Sequence, residues 1–131
     1  MSNPSPHVPA MPKALVWVGW ILTLLPCAML VMSGVMKLMQ RPEVVEGFKD
    51  WPAGVAVPIA IAELVSTALY LIPQTAVLGA VLLTGYLGGA TATHVRLGES
   101  VLFPVGLGVI VWLGLFLRDG RIRQLLPWRS L

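Results

Sequence analysis

The residue with the clearest potential for chemistry is a glutamate in the middle of an apolar run. Glu63 lies about ten residues into the run 53–72, roughly 15 Å along a helix. If this run crosses a membrane, its carboxylate is costly unless it is paired, hydrated or protonated. Ser66, Thr67 and Tyr70 follow at three, four and seven residues, so they share its side of the helix. Glu63 therefore either binds a ligand or moves a proton, or it is protonated and hydrogen-bonds a neighbouring helix.

Side chains at the ends of the neighbouring apolar runs complete the candidate site. Lys37 ends an inward-facing stripe of the first run, and its ammonium either points towards Glu63 or extends to the membrane interface. His94 ends the third run, so antiparallel helices place it at the same membrane side as Lys37. Its imidazole is either interfacial, or relays protons and hydrogen-bonds a carbonyl ligand such as a quinone. The predicted ligand or proton site comprises Glu63, Lys37, His94, Tyr70, Thr91 and Arg96.

Several classes of site are not predicted by these residues. Cys27 is the single cysteine, and with the two histidines, His7 and His94, it forms no recognisable set of metal ligands. Gly106 and Gly108 lie in an apolar run with no preceding strand, so they do not form a phosphate cradle. The basic residues form no stripe with interleaved aromatics, so a nucleic-acid partner is not predicted. We expect no metal and no intrinsic cofactor, and a quinone is the one cofactor left open.

The composition places these residues in a lipid bilayer. Of the 131 residues, 56% are apolar and 11% are charged, and the mean hydropathy is +0.82. A soluble chain of this length buries only about two thirds of its surface, which is too little to hide so many apolar side chains. Four runs approach or reach the roughly 20 residues that a spanning helix needs, at about 14–39, 53–72, 75–95 and 102–117. The predicted fold is an all-α, integral membrane four-helix bundle.

The two ends of the chain differ from this membrane domain, which comprises residues 14–117. Residues 1–13 are polar and hold four prolines, and they are predicted to be a disordered tail. Residues 118–131 mix arginines with apolar side chains and are predicted to lie at the membrane interface, with the arginines near lipid phosphates. Arginines clustered beside the last run favour a cytoplasmic location for both termini.

Small residues are predicted to mediate helix packing, because they let helix backbones approach closely. These are Gly34 in the first run and, in the third, Gly79, Gly85, Gly88, Gly89 and Ala92, of which Gly85 and Gly89 form a GxxxG pair. Whether the bundle forms a homo-oligomer through this face stays open.

Several sequence blocks together resemble one family. They are Ser33 and Gly34 with Lys37 and Leu38, the pair Glu63 and Leu64, and the segments 42–48, 70–73, 75–96 and 112–129. In their order and spacing they resemble the DoxX-like family of small bacterial membrane proteins. The resemblance implies a multi-pass four-helix bundle in the bacterial cytoplasmic (inner) membrane. The wider DoxX group takes its name from the small subunit of a thiosulfate:quinone oxidoreductase, so a redox-protein partner is one expectation.

Three functions are compatible with these residues. The favoured one is a nonenzymatic accessory protein or subunit that binds a partner or a lipophilic ligand such as a quinone near Glu63. The alternative is a proton-coupled small-molecule exporter that uses Glu63, although small multidrug transporters carry their glutamate in the first helix. The third is a catalytic quinone-linked subunit in which Lys37 and His94 hold quinone oxygens, Glu63 moves protons and a partner supplies the electron carrier.

Overall fold

The computed structural model describes residues 11–128. The predicted disordered tail therefore lies almost wholly outside the described residues, as does Arg129 of the predicted interfacial tail. Within 11–128 the chain is helical without strands, which confirms the all-α prediction. The helices are α1 (Lys13–Leu38), α2 (Pro42–Gly47), α3 (Ala56–Leu71), α4 (Ala76–Arg96), α5 (Leu102–Arg118) and α6 (Gly120–Leu125), with a short 3-10 helix at Pro73–Thr75.

The four long helices follow the four apolar runs of the sequence and pack in a closed ring. Helix α1 packs against α3 and α5, and α4 packs against the same two helices. Helices α1 and α3 run antiparallel, because Thr23 early in α1 meets Tyr70 at the end of α3, whereas Lys37 late in α1 meets Glu63 further back in α3. The short connection Pro73–Thr75 joins α3 and α4 as an antiparallel hairpin. The end of the ring where α1 and α4 end, next to α2, is called the α2 end below. The opposite end, next to α6, is called the α6 end.

The α6 end is held together by glycines that let backbones touch. A Cβ added at Gly114 of α5 would lie 2.9 Å from the hydroxyl oxygen of Thr23 and 3.2 Å from the carbonyl oxygen of Gly19, both in α1. A Cβ added at Gly79 of α4 would collide with the backbone of Tyr70 in α3. Because neither site has room for even a methyl group, α1 and α5, and likewise α3 and α4, are in close contact there.

Polar side chains are buried in this structure while large apolar ones are exposed. Thr23, Glu63, Ser66 and Thr67 are all buried. The exposed apolar side chains include Trp17, Met32, Ile61, Phe103 and Val109, and they come from different helices. A soluble monomer rarely exposes so much contiguous apolar surface, whereas a membrane protein turns apolar side chains to lipid and polar ones inward. The distribution fits a membrane protein.

Within residues 11–128, two segments are long and apolar enough to cross a membrane, namely Lys13–Leu38 and Pro73–Arg96. Helices α3 and α5 are also apolar but shorter, with 16 and 17 residues. At about 1.5 Å per residue each is about 25 Å long. The second predicted span began at residue 53, but the helix begins only at Ala56, because residues 53–55 form a turn in which Gly54 has a φ of 77°.

Candidate functional site

The structure pairs the central glutamate with the lysine of the neighbouring helix. The ammonium nitrogen of Lys37 lies 2.8 Å from Oε2 of Glu63, and their side chains are 13% and 1% exposed. Of the two positions predicted for the Lys37 ammonium, the structure shows the one that points towards Glu63. The pairing matters because a lone carboxylate at this depth would be strongly disfavoured.

The ammonium of Lys37 donates to three acceptors from three helices. Besides Glu63, they are the hydroxyl of Ser33 at 2.6 Å, on α1 itself, and the hydroxyl of Tyr86 at 3.1 Å, on α4. An ammonium carries three protons, so the arrangement satisfies every donor that Lys37 has. The bond to Tyr86 also links α1 and α4, which lie diagonally across the ring.

The end of helix α1 and its close contact with α3 place Lys37 beside Glu63. Helix α1 ends just after Lys37, where Gln40 adopts a φ of 53° and the amide of Arg41 bonds back to the carbonyl of Met36. This is the pattern of a Schellman-type helix end. Further back, Gly34 lies directly against the side chain of Leu64, so α1 and α3 are close beside the ion pair. The predicted packing role of Gly34 agrees with this contact.

The ion pair forms part of the wall of a cavity at the α2 end. The cavity has a volume of about 640 Å³, and all four long helices contribute to it. Its apolar wall includes Met29, Met32, Ile59, Phe103 and Leu107, and its polar wall consists of Ser33, Lys37, Glu63, Tyr86, Thr93 and His94. Apolar cavities of about 300–1,000 Å³ with a few convergent polar groups are typical of small-molecule sites.

His94 reaches this cavity from the last turn of α4. Its Nδ1 lies 2.7 Å from the carbonyl oxygen of Ala90, and its Nε2 lies 3.7 Å from a carboxylate oxygen of Glu99. A carbonyl oxygen only accepts, so Nδ1 donates to Ala90, while Nε2 faces the Glu99 carboxylate. The structure therefore brings together three of the six predicted site residues, namely Glu63, Lys37 and His94.

The other three predicted candidates, Tyr70, Thr91 and Arg96, do not line this cavity. Tyr70 is fully buried towards the α6 end, where its hydroxyl donates to the carbonyl of Val111 at 2.6 Å. Thr91 bonds to the carbonyl of Leu87 and lines a separate groove between α4 and α5. Arg96 is exposed at the end of α4 and does not line the cavity. Tyr70 is two helical turns away from Glu63, and Thr91 points to a different face from His94.

The predicted packing glycines of α4 also differ from expectation. A Cβ added at Gly85, Gly88 or Gly89 meets no atom within 4 Å among the described residues. These glycines therefore do not bring α4 against another helix of the same chain. Of the predicted packing glycines of α4, Gly79 does make a close contact, with the backbone of Tyr70. Gly19 and Gly114, which were not predicted, are also in close contact, because the ring order decides which face of each helix meets a neighbour.

Two groups were missed by sequence reasoning. Tyr86 sits in an apolar run, and only the position of α4 across the ring from α1 brings it to Lys37. Arg118 was assigned to the interfacial tail, but its guanidinium donates to the carbonyl of Tyr70 at 2.8 Å and lies over the rings of Trp20 and Tyr70, at 4.7 and 4.8 Å. A cation next to aromatic residues at the end of an apolar run was the available signal for Arg118.

Comparison with known proteins gives one match. The family model described as the DoxX-like family matches residues 21–114. No match was found among curated proteins or among solved structures. The matched region runs from α1 into α5 and includes Lys37, Glu63, Tyr86 and His94. Because the match covers well over half of the 131 residues and confirms the resemblance seen in the sequence, the chain belongs to the DoxX-like family.

Proposed function

We propose that the chain crosses the bacterial cytoplasmic membrane four times, with both termini in the cytoplasm. The support is the burial of Glu63, Ser66 and Thr67 inside a ring whose outer surface is apolar. Helices α3 and α5 are somewhat shorter than the roughly 30 Å of hydrocarbon, and a bilayer adapts to such a mismatch at modest cost. Ile72, which follows α3, is apolar and exposed, and it extends the lipid-facing surface.

Within this membrane domain, we propose that the chain is a nonenzymatic accessory protein or subunit that binds a lipophilic molecule, such as a quinone, in the cavity at the α2 end. The observation that carries the proposal is an apolar cavity of about 640 Å³ with the Lys37–Glu63 ion pair in its wall. Lys37 and Glu63 are hydrogen-bonded to each other. Because each charge is already paired, the two groups are better suited to positioning a ligand than to reacting with it. A redox-protein partner would then use or exchange the bound molecule.

Two glycine positions of α4 provide a direct test. Gly89 lines the cavity, whereas Gly88 lines the separate groove between α4 and α5. A Cβ at either position meets nothing within 4 Å among the described residues, so both should accept a larger side chain. Gly89→Leu should therefore fill part of the cavity, and Gly88→Leu is its matched control.

The experiment is purification of the wild type and both variants from native membranes in mild detergent. Bound lipids and proteins are then identified by mass spectrometry. We expect a lipophilic molecule to remain with the wild type and with Gly88→Leu, and to be lost from Gly89→Leu. Retention of the same molecule at the same level by Gly89→Leu, or its absence from the wild type, would contradict ligand binding in the cavity.

A proton-coupled exporter is the second candidate, because Glu63 is a buried carboxylate that lines a cavity. Proton-driven efflux would require Glu63 to release Lys37 in each cycle, since the two are paired. In membrane vesicles with an imposed proton gradient, Glu63→Gln should then abolish efflux of a lipophilic cation. Full transport by this variant would rule out the export mechanism.

A further inference from the structure

We propose that the cavity at the α2 end selects ligands with a hydrogen-bond donor at the head, such as a hydroxyl or N–H group on an apolar body, over ligands whose head can only accept. This inference rests on the proposed binding function and adds a ligand class to it. It follows from counting which polar atoms of the cavity wall already have partners within the protein.

The strongest donor of the wall is fully used by the protein. The three protons of the Lys37 ammonium go to Ser33, Glu63 and Tyr86, at 2.6, 2.8 and 3.1 Å. A ligand carbonyl could bond to this ammonium only by displacing one of these acceptors. Since the displaced group would be left without its partner in a buried site, the exchange brings little net gain.

The strongest acceptor of the wall, by contrast, has capacity left. Glu63 is 1% exposed, and the hydrogen bond it receives from Lys37 goes to Oε2. An ionised carboxylate has about four acceptor sites over its two oxygens, and within the described residues Lys37 and Tyr86 are its side-chain partners. Because Glu63 lines the cavity, its carboxylate is a strong acceptor for a ligand donor, since hydrogen bonds to charged groups are about twice as strong as neutral ones.

Two other groups of the wall are already engaged within the protein. His94 donates from Nδ1 to the carbonyl of Ala90, and its Nε2 lies 3.7 Å from a carboxylate oxygen of Glu99. The Tyr86 oxygen accepts from Lys37, and the Tyr86 hydroxyl also interacts with Glu63. A ligand hydroxyl can donate to the Glu63 carboxylate, whereas an ether or a ketone cannot.

The charge and shape of the cavity define the rest of the ligand. Lys37 and Glu63 cancel each other, so the wall gives no counter-charge to an ionic head group. The body of the ligand lies against apolar side chains such as Met29, Met32, Phe103 and Leu107. The ligand class is thus a neutral amphiphile with a hydroxyl or N–H head. Among redox-active lipids, the dihydroxy (quinol) form fits these groups better than the diketone (quinone) form.

A pair of probes that differ only in a methyl group in place of the hydroxyl hydrogen tests this selection. The probes are 4-dodecylphenol and 4-dodecylanisole, which share ring and chain but of which only the phenol is a donor. Binding of each to the full-length protein in lipid nanodiscs is measured by tryptophan fluorescence, and Gly89→Leu gives the background from partition into lipid. We expect the phenol to bind at least about tenfold more tightly, as one charge-assisted hydrogen bond provides.

The variants and outcomes separate this inference from the proposed function. Glu63→Gln should reduce the phenol preference to about threefold or less, because a neutral amide is a weaker acceptor. Equal affinity for the two probes, or tighter binding of the anisole, would overturn the inference while the binding function stands. An unchanged preference in Glu63→Gln would also overturn it. Failure of the wild type to bind either probe above background would overturn both, and the wild-type comparison remains decisive if Glu63→Gln does not fold.

Discussion

Replacing Lys37 by methionine should destabilise the protein more than any loss of a surface ion pair. The variant keeps an unbranched apolar side chain of similar length, but it removes the hydrogen bonds to Ser33, Glu63 and Tyr86. It also leaves the Glu63 carboxylate, 1% exposed, without a counter-charge. Breaking a buried pair from one side typically costs about 3–5 kcal/mol. Because the Lys37 side chain is 13% exposed and solvent screens the pair in part, we expect about 3 kcal/mol.

Replacing Glu63 by glutamine should lower the free energy of unfolding less than Lys37→Met does. The double variant tests the reason for this difference. In Glu63→Gln, Lys37 keeps Ser33 and Tyr86, and its position one residue before the end of α1 lets the ammonium move towards the helix end. We expect a loss of about 1–2 kcal/mol. In the double variant Lys37→Met with Glu63→Gln, no unpaired charge remains. Its loss should therefore be smaller than the sum of the two single losses, by about 1.5 kcal/mol or more.

Reversible unfolding in mixed detergent micelles, followed by circular dichroism, measures these differences. The matched control is Lys49→Met, because Lys49 pairs with Glu46 at 3.0 Å while both side chains are more than 60% exposed. Exposed pairs contribute little, so this variant should change the free energy of unfolding by less than about 1 kcal/mol. The reasoning is refuted if Lys37→Met costs no more than Lys49→Met, or if the double variant equals the sum of the single ones.

Changes at Gly79, Tyr70 and Arg118 test the packing of the α6 end by the same unfolding assay, and Gly85→Ala, which lies at the cavity, is the control for Gly79→Ala. Gly79→Ala should cost about 1–3 kcal/mol because its Cβ collides with the backbone of Tyr70, while Gly85→Ala should be neutral or stabilise by up to about 1 kcal/mol because its Cβ meets open space. Tyr70→Phe should lower the free energy of unfolding by about 1 kcal/mol through loss of the hydrogen bond to the carbonyl of Val111. An unchanged stability would show that this bond does not stabilise the fold. Arg118→Lys should also destabilise, by about 1 kcal/mol, because lysine keeps the charge but loses the planar contact with two aromatic rings; equal stability would show that charge alone matters there.

The sequence predicts the helices and their inner faces well, because both depend on local periodicity. The stripe of α1 that contains Thr23, Cys27, Leu30 and Gly34 is buried, as its spacing of three and four residues predicts. The face of α3 with Glu63, Ser66, Thr67 and Tyr70 is buried for the same reason. Helix α2 lies between the first two apolar runs, so the search for spans does not predict it, although Pro42 at its first turn and Glu43 beside it are typical of a helix start.

The sequence predicts the contents of the site less well, because these depend on how the helices are arranged around the ring. A lysine at a helix end has the same sequence pattern whether it pairs inward or extends to the interface. The contact of Gly34 with Leu64 and the position of Tyr86 decide between the two, and neither can be read from spacing within one helix. The same holds for the GxxxG pair Gly85 and Gly89, whose spacing does not say which helix, if any, it faces.

The two ends of the ring have different properties, and this difference supports a binding site at the α2 end. At the α6 end, backbone contacts at Gly79 and Gly114 leave no space between helices, and Arg118 fixes the end of α5 to the carbonyl of Tyr70. At the α2 end the four long helices surround a cavity, and the Lys37–Glu63 ion pair lies in its wall. Apolar packing would stabilise a bundle at least as well as a buried ion pair of this kind, which is often no more stable than its hydrophobic replacement. A charged pair next to a cavity therefore supports the proposed recognition of a ligand more than a role in the stability of the fold.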